Sequence, residues 1–187
     1  MAIITLLEIV DMIVMIVALG FIFSSYIPQP RTELSLVKKS RWFDKESFKL
    51  AIYVTAPAIL LHELAHKFVA ILYGLNAVFH ASYGGLAIGV FLKIIASPFI
   101  IFAPGYVSIA NATPIQSAIT AFAGPLMNLL LFFLAWFILD RAPRLTRTQA
   151  EVLHLTKQIN LFLFIFNMIP LGPFDGAKVF SGLLSAF

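Results

Sequence analysis

The chain has 187 residues and a mean hydropathy of +0.95; 60% of its residues are hydrophobic, 12% are charged, and the formal net charge is +4. Ordinary globular chains run at about 45–50% apolar and about 25% charged, and a fold this small has too little interior to hide the surplus from water. These totals, with no basic stripe interleaved with aromatics, exclude a water-soluble enzyme, a disordered tail and a nucleic-acid-binding module, and they place the chain in a lipid bilayer.

In chain order, the first predicted element is a bilayer-spanning helix from about Ala2 to Ile27, stopped by Pro28 and Pro30. It lacks a basic n-region, carries Glu8 and Asp11, and is too long for a signal-peptide core, so it reads as a retained span. Residues 28–49 form a loop with six basic residues, Arg31, Lys38, Lys39, Arg41, Lys45 and Lys49. A second span runs from about Leu50 to Tyr73 and ends at Gly74.

The stretch 75–115 differs in texture, with Gly84, Gly85, Gly89, Pro98, Pro104, Gly105 and Pro114 breaking any long helix. Irregular backbone at membrane depth survives only where protein or a watery cavity covers it. A re-entrant element or embedded hairpin is expected there. A third span covers about Gln116 to Leu139 and is interrupted at Gly124-Pro125. A polar loop at 140–158 follows, with Arg141, Arg144, Arg147 and Lys157, and the last apolar stretch, Ile159 to Phe187, is broken by Pro170, Gly172 and Pro173.

The fold class expected is therefore an all-α, polytopic membrane protein. It is a single domain over 1–187 with about four transmembrane helices and the irregular segment at 75–115. The two basic loops should face one side of the bilayer, which the positive-inside rule makes cytosolic. No internal repeat supports an inverted-repeat transporter.

Against so apolar a background the ionisable residues are conspicuous, since a charged side chain at mid-membrane costs roughly 2.5–3.5 kcal/mol on insertion scales. The second span carries His62, Glu63, His66 and Lys67. At about 100° per residue, His62 and His66 lie one turn apart on one face, with Glu63 beside them. This is the H-E-x-x-H arrangement, in which two imidazoles hold zinc and the glutamate works on the water the metal activates. With four His and five Glu in the chain, roughly 0.002 such matches arise by chance. Lys67 reads as a snorkelling or cavity-facing cation.

Two histidines do not complete a catalytic zinc site, which takes three protein ligands and keeps one position open. Asp175, set among apolar residues, needs a partner and is the candidate third ligand. Glu8 and Asp11 lie close enough to the N-terminus to rest at the interface. Asp140 and Glu151 fall in a polar loop, and His80 and His154 lie near segment ends, where an interfacial histidine needs no function. With no cysteine in the chain, thiolate ligands and thiol nucleophiles are excluded.

His62-Glu63-Leu64-Ala65-His66 in one span, followed by Asn167-x-x-Pro170-x-x-Pro173-x-Asp175-Gly176 in a later one, resembles the site-2 protease family of intramembrane zinc metalloproteases. Ala123-Gly124-Pro125-Leu126-Met127-Asn128 resembles that family's Gly-Pro-x-x-Asn stretch, and Pro104-Gly105-Tyr106-Val107 its Pro-Gly-x-x-Val element; the likeness covers roughly residues 50–180. It implies His62, His66 and Asp175 as ligands of one zinc ion per chain and Glu63 as the catalytic glutamate. It also implies a substrate that is a transmembrane or membrane-adjacent segment of another protein. Ala65 and Ala177 stand where many members have glycine, the chain stops soon after Asp175, and no PDZ domain is expected.

A helical substrate must unwind to expose its scissile bond, so an edge strand near Tyr83-Gly84-Gly85 is expected to hold it extended by strand addition. Asn128 and Asn167 either bond the substrate or the oxyanion, or pack helices together. The competing class is a zinc-binding membrane transporter or a non-catalytic membrane scaffold. A transporter wants ligand sets along a path, whereas the sequence offers one dense cluster and one distant aspartate.

Overall fold

The structure, a computed structural model, describes residues 3–26, 43–98 and 102–185. Its elements in order are α1 (Leu6–Phe23), α2 (Lys45–Leu72), β1 (Asn76–Ala81), α3 (Tyr83–Ile94), β2 (Gly105–Ala110), α4 (Pro114–Arg141), α5 (Arg147–Asn167) and α6 (Asp175–Leu184). The chain is mostly helical. Among the described residues, α1, α2 and α4 are long and apolar enough to cross a membrane, with mean hydropathies of 2.5, 1.3 and 2.1 over their best windows. Arg31, Lys38, Lys39 and Arg41 of the expected basic loop lie outside the described residues, whereas Lys45 and Lys49 open α2.

Helix starts follow local chemistry. Thr5, Thr113 and Thr146 each form a capping box, with Glu8, Gln116 and Gln149 respectively, so orphan amide donors are satisfied reciprocally. The box at Thr146 explains why α5 begins inside the stretch expected to be a polar loop. The final apolar stretch, expected as one broken span, divides into the end of α5, a turn at 168–174, and α6.

The expectation of an all-α fold is corrected at 75–115. There β1 and β2 pair antiparallel, from Asn76 opposite Ala110 to Ala81 opposite Gly105, with the apolar helix α3 between them. The Gly and Pro residues that ruled out a straight helix mark the ends of these short elements. Tyr83-Gly84-Gly85, expected to be an edge strand, instead forms the first turn of α3, capped by the Ser82 hydroxyl accepting from the Gly85 N–H. A Cβ at residue 85 would strike the Ala103 carbonyl oxygen, so the glycine there serves close backbone approach.

α1 presents one buried stripe, Glu8, Met12, Met15, Leu19 and Ile22, at helical spacing. Its apolar members pack with Phe79, Ala81 and Leu86 to form the core between α1, the β1–α3–β2 segment and α2. Glu8 heads that stripe rather than resting at an interface. Its Oε1 accepts from the Phe79 N–H at 2.8 Å and pairs with Lys67 Nζ, so Lys67 is buried in an ion pair and does not snorkel. Asp11 accepts from the Ala81 N–H at 3.1 Å and from the Tyr83 hydroxyl at 2.6 Å. Two carboxylates one turn apart on α1 thus cover the outer edge of β1. At the other end of α1, Lys93 Nζ donates to the Phe21 carbonyl and, at 2.7 Å, to Ser24 Oγ, where a cation complements the helix terminus. On the far side, α4 packs against α2, α5 and α6.

Candidate metal centre

His62, Glu63 and His66 project from the C-terminal half of α2, and all three are buried. Asp175 arrives 113 residues after His62, in the first turn of α6, where a carboxylate suits the positive end of the helix. Its Oδ2 lies 3.1 Å from His62 Nε2 and 3.3 Å from His66 Nε2, and the two Nε2 atoms are 3.1 Å apart. The imidazole planes stand nearly perpendicular, at 85°.

The tautomers follow from the other nitrogens. His66 Nδ1 lies 2.7 Å from the Thr120 carbonyl oxygen, an obligate acceptor, so it carries the proton. His62 Nδ1 lies 2.6 Å from Asn128 Oδ1 and carries a proton as well. With both imidazoles neutral, the two Nε2 atoms present lone pairs to each other and to an anionic carboxylate, and a cation at their focus, a proton or a metal ion, turns that convergence from repulsive to favourable. The ligands of a tetrahedral zinc with bonds of about 2.0–2.1 Å stand roughly 3.3 Å apart, which matches the spacing here. The donor set of two neutral imidazoles and a carboxylate, each imidazole oriented by a second hydrogen bond, fits zinc in both chemistry and geometry.

α4 supplies the room. A methyl group at residue 124 would collide with His66 Nε2 and stand 2.7 Å from His62 Cε1, so glycine is what lets α4 pass both rings. The Gly124-Pro125 pair, expected to interrupt the span, lies inside a continuous helix. Gly176 does similar service for Asp175, because a Cβ there would sit 2.5 Å from the Met168 carbonyl group.

His62, His66 and Asp175, the candidate metal ligands, line with Glu63 a cavity of about 730 Å³, walled by Ile59, by Gly105, Tyr106 and Val107 of β2, by Phe162, Phe166 and Asn167 of α5, and by Phe174 and Lys178. The cavity thus gathers four of the residues singled out in the sequence and one of the two asparagines. Asn128 is fully buried behind the His62 ring and outside that wall. Tyr83 is exposed on α3, bonded to Asp11, and Gly84 and Gly85 lie beside it, away from the cavity. His80 stands half exposed on β1 and His154 lies on α5.

Sequence reasoning missed Lys178, which lines the cavity, and the carbonyl of Thr120, which accepts from His66. Lys178 was detectable as one more ionisable group in an apolar stretch, one turn beyond Asp175. A backbone carbonyl carries no sequence signal.

A scan against protein-family models finds no match. Among curated proteins, the chain is 34% identical over 177 residues to one from Methanocaldococcus jannaschii named "putative zinc metalloprotease MJ0611", covering 92% of this chain and 82% of that relative. It is 27% identical over 144 residues to "putative zinc metalloprotease YwhC" of Bacillus subtilis, covering 66% of this chain and 64% of the relative. To "putative zinc metalloprotease sll0528" of a Synechocystis species it is 29% identical over 129 residues, covering 68% of this chain and 29% of the relative. With two buried histidines and a partly buried aspartate suited to zinc, and such likeness along nearly its whole length, the chain belongs to the zinc metalloprotease family that these relatives represent.

Proposed function

We propose that the protein is an integral, multi-pass membrane endopeptidase of the site-2 type, which hydrolyses peptide bonds in or beside transmembrane segments of other membrane proteins. The observation that carries this reading is Glu63 in the same cavity as the convergent His62, His66 and Asp175 atoms, among helices apolar enough to cross a membrane. In this reading α1, α2 and α4 span the bilayer, the broken pair α5–α6 forms a fourth membrane element, and the β1–α3–β2 segment is re-entrant.

When bound, zinc polarises the scissile carbonyl and lowers the pKa of water toward 7. The chain's own groups do the rest. Glu63 takes the proton from the attacking water onto a carboxylate oxygen and delivers it to the leaving amine. In this reading Asn167, which lines the cavity, donates from its amide to the developing oxyanion. β2 holds the substrate extended. The outer edge of β1 is covered by Glu8 and Asp11, so strand addition falls to β2, whose residues Gly105, Tyr106, Val107 and Ile109 line the cavity.

The test is Glu63→Gln in proteoliposomes containing a transmembrane substrate. It should retain one zinc per chain and lose cleavage by about 10²–10⁴-fold, the usual worth of a general base. Undiminished cleavage would overturn the assignment. Zinc uptake by wild-type vesicles without proteolysis would favour a transporter.

A further inference from the structure

Two buried amides stand behind His62: Asn128 bonds its Nδ1, and Asn160 bonds Asn128 without touching a candidate ligand. Asn128 on α4 and Asn160 on α5 are both fully buried. Their hydrogen bonds leave no freedom in how either amide is turned. Asn160 Nδ2 donates to the Thr156 carbonyl one turn back, at 2.8 Å, which leaves its Oδ1 facing α4. Asn128 Nδ2 has two protons and two acceptors, Asn160 Oδ1 at 2.8 Å and the Ala58 carbonyl at 3.0 Å. With both donors used, Asn128 Oδ1 must be the atom that faces His62 Nδ1.

A flipped Asn128 would set its oxygen against two other oxygens and its amino group against His62. It would then favour the opposite tautomer, with the Nε2 proton aimed into the metal site. Only the Nδ1–H form of His62 offers an Nε2 lone pair to a cation.

We propose that Asn160 is a positioning residue of the metal centre: acting through Asn128, it fixes the tautomer of His62. This makes α5 part of the site although the helix contributes no ligand. The inference rests on the reading of His62, His66 and Asp175 as metal ligands, and it is independent of what the enzyme cleaves. It also separates the two histidines. The Nδ1–H of His66 donates to a backbone carbonyl, which no side-chain substitution removes, whereas His62 depends on a chain of two side-chain amides.

The test uses the full chain in detergent, with Asn160→Leu and Asn160→Asp. Leucine has a similar volume and removes the acceptor for Asn128, while aspartate, protonated in so buried a position, keeps an acceptor toward Asn128 and an O–H donor toward the Thr156 carbonyl. Zinc affinity is measured by chelator competition, and the His62 tautomer by ¹⁵N chemical shifts of histidine-labelled, metal-free protein, assigned with His62→Ala. Asn160→Leu should lose about 10–100-fold in zinc affinity, the usual effect of a lost partner behind a ligand, and its His62 Nδ1–H signature should become mixed. Asn160→Asp should stay within about threefold of wild type.

A folded Asn160→Leu with wild-type affinity and an unchanged His62 tautomer would overturn the proposal. So would a folded Asn160→Asp that loses about 10-fold or more in zinc affinity relative to wild type, an outcome that decides the matter even should the leucine variant fail to fold. Should wild type itself bind no zinc, the metal reading fails instead, and the tautomer comparison still decides whether Asn160 governs His62.

Discussion

His66 and Lys67 are neighbours in α2, yet their side chains belong to two buried polar clusters built in opposite ways. About 100° of helical rotation sends His66 toward α4 and α6 and Lys67 toward α1. Around Lys67 every polar atom meets its complement, since the ammonium pairs with Glu8, and the Glu8 carboxylate also accepts from Thr5 and from the Phe79 N–H. Around His66 the outward nitrogens are satisfied while the inward atoms, two lone pairs and a carboxylate oxygen, converge on one another. The first cluster is closed and ties helices and a strand together. The second is open toward one point and asks for a cation. Burial and charge look alike in the two; mutual satisfaction of the polar atoms tells a structural cluster from a functional one.

Three substitutions test that contrast. The largest effect belongs to Asp175→Ala, which removes the anionic third of the open cluster. Zinc affinity should fall by more than the 10–100-fold that a lost second partner costs, and hydrolysis should fall with it. Metal analysis after equilibrium dialysis reads the first, and unchanged stoichiometry would remove Asp175 from the ligand set.

Next comes Lys67→Met, which leaves the Glu8 carboxylate buried without its cation. It should cost about 3–5 kcal/mol of stability in thermal or chemical unfolding, with zinc still one per chain in the folded fraction. The double variant Glu8→Gln, Lys67→Met should recover much of that loss. A folded Lys67→Met that no longer binds zinc would show that the two clusters are coupled rather than independent.

The smallest effect is expected of Asp11→Ala, which frees the Ala81 N–H and the Tyr83 hydroxyl. A loss of about 1–2 kcal/mol in the hold on β1 corresponds to roughly 5–30-fold faster amide exchange there. Unchanged exchange at Ala81 would mean that Asp11 does not secure the strand.

The candidate metal site was more legible in the sequence than the fold around it. The i, i+4 pair of histidines is a local pattern, and Asp175 announced itself by its cost in an apolar stretch. The capping box at Thr146-x-x-Gln149 was equally local and readable, and it would have started α5 in the right place. Glu8 could have been assigned to the core from its spacing with Met12, Met15, Leu19 and Ile22, since a carboxylate on a buried stripe needs a buried partner. Nothing local reveals that the partner is Lys67. The strands at 76–81 and 105–110 were hidden for the same reason, because each is short and half apolar and becomes a strand by pairing across more than twenty intervening residues. Asn128 carried a motif but no direction, and the amide that turns it, Asn160, belongs to another helix.

By itself the sequence determined that this chain is apolar enough for lipid, that two imidazoles and a glutamate share one stretch of helix, and that an aspartate far along the chain needs compensation. These are properties of composition and of a 3.6-residue period, and both act within a turn or two. The tertiary structure alone decided that Asp175 closes on both histidines, that Lys67 turns away to Glu8, that Tyr83-Gly84-Gly85 opens a helix while β2 lines the cavity, and that Gly124 makes room for two rings. Each of those outcomes is a choice of partner between distant segments, and burial enforces it, because a polar atom shut away from water must find its complement wherever the fold brings one.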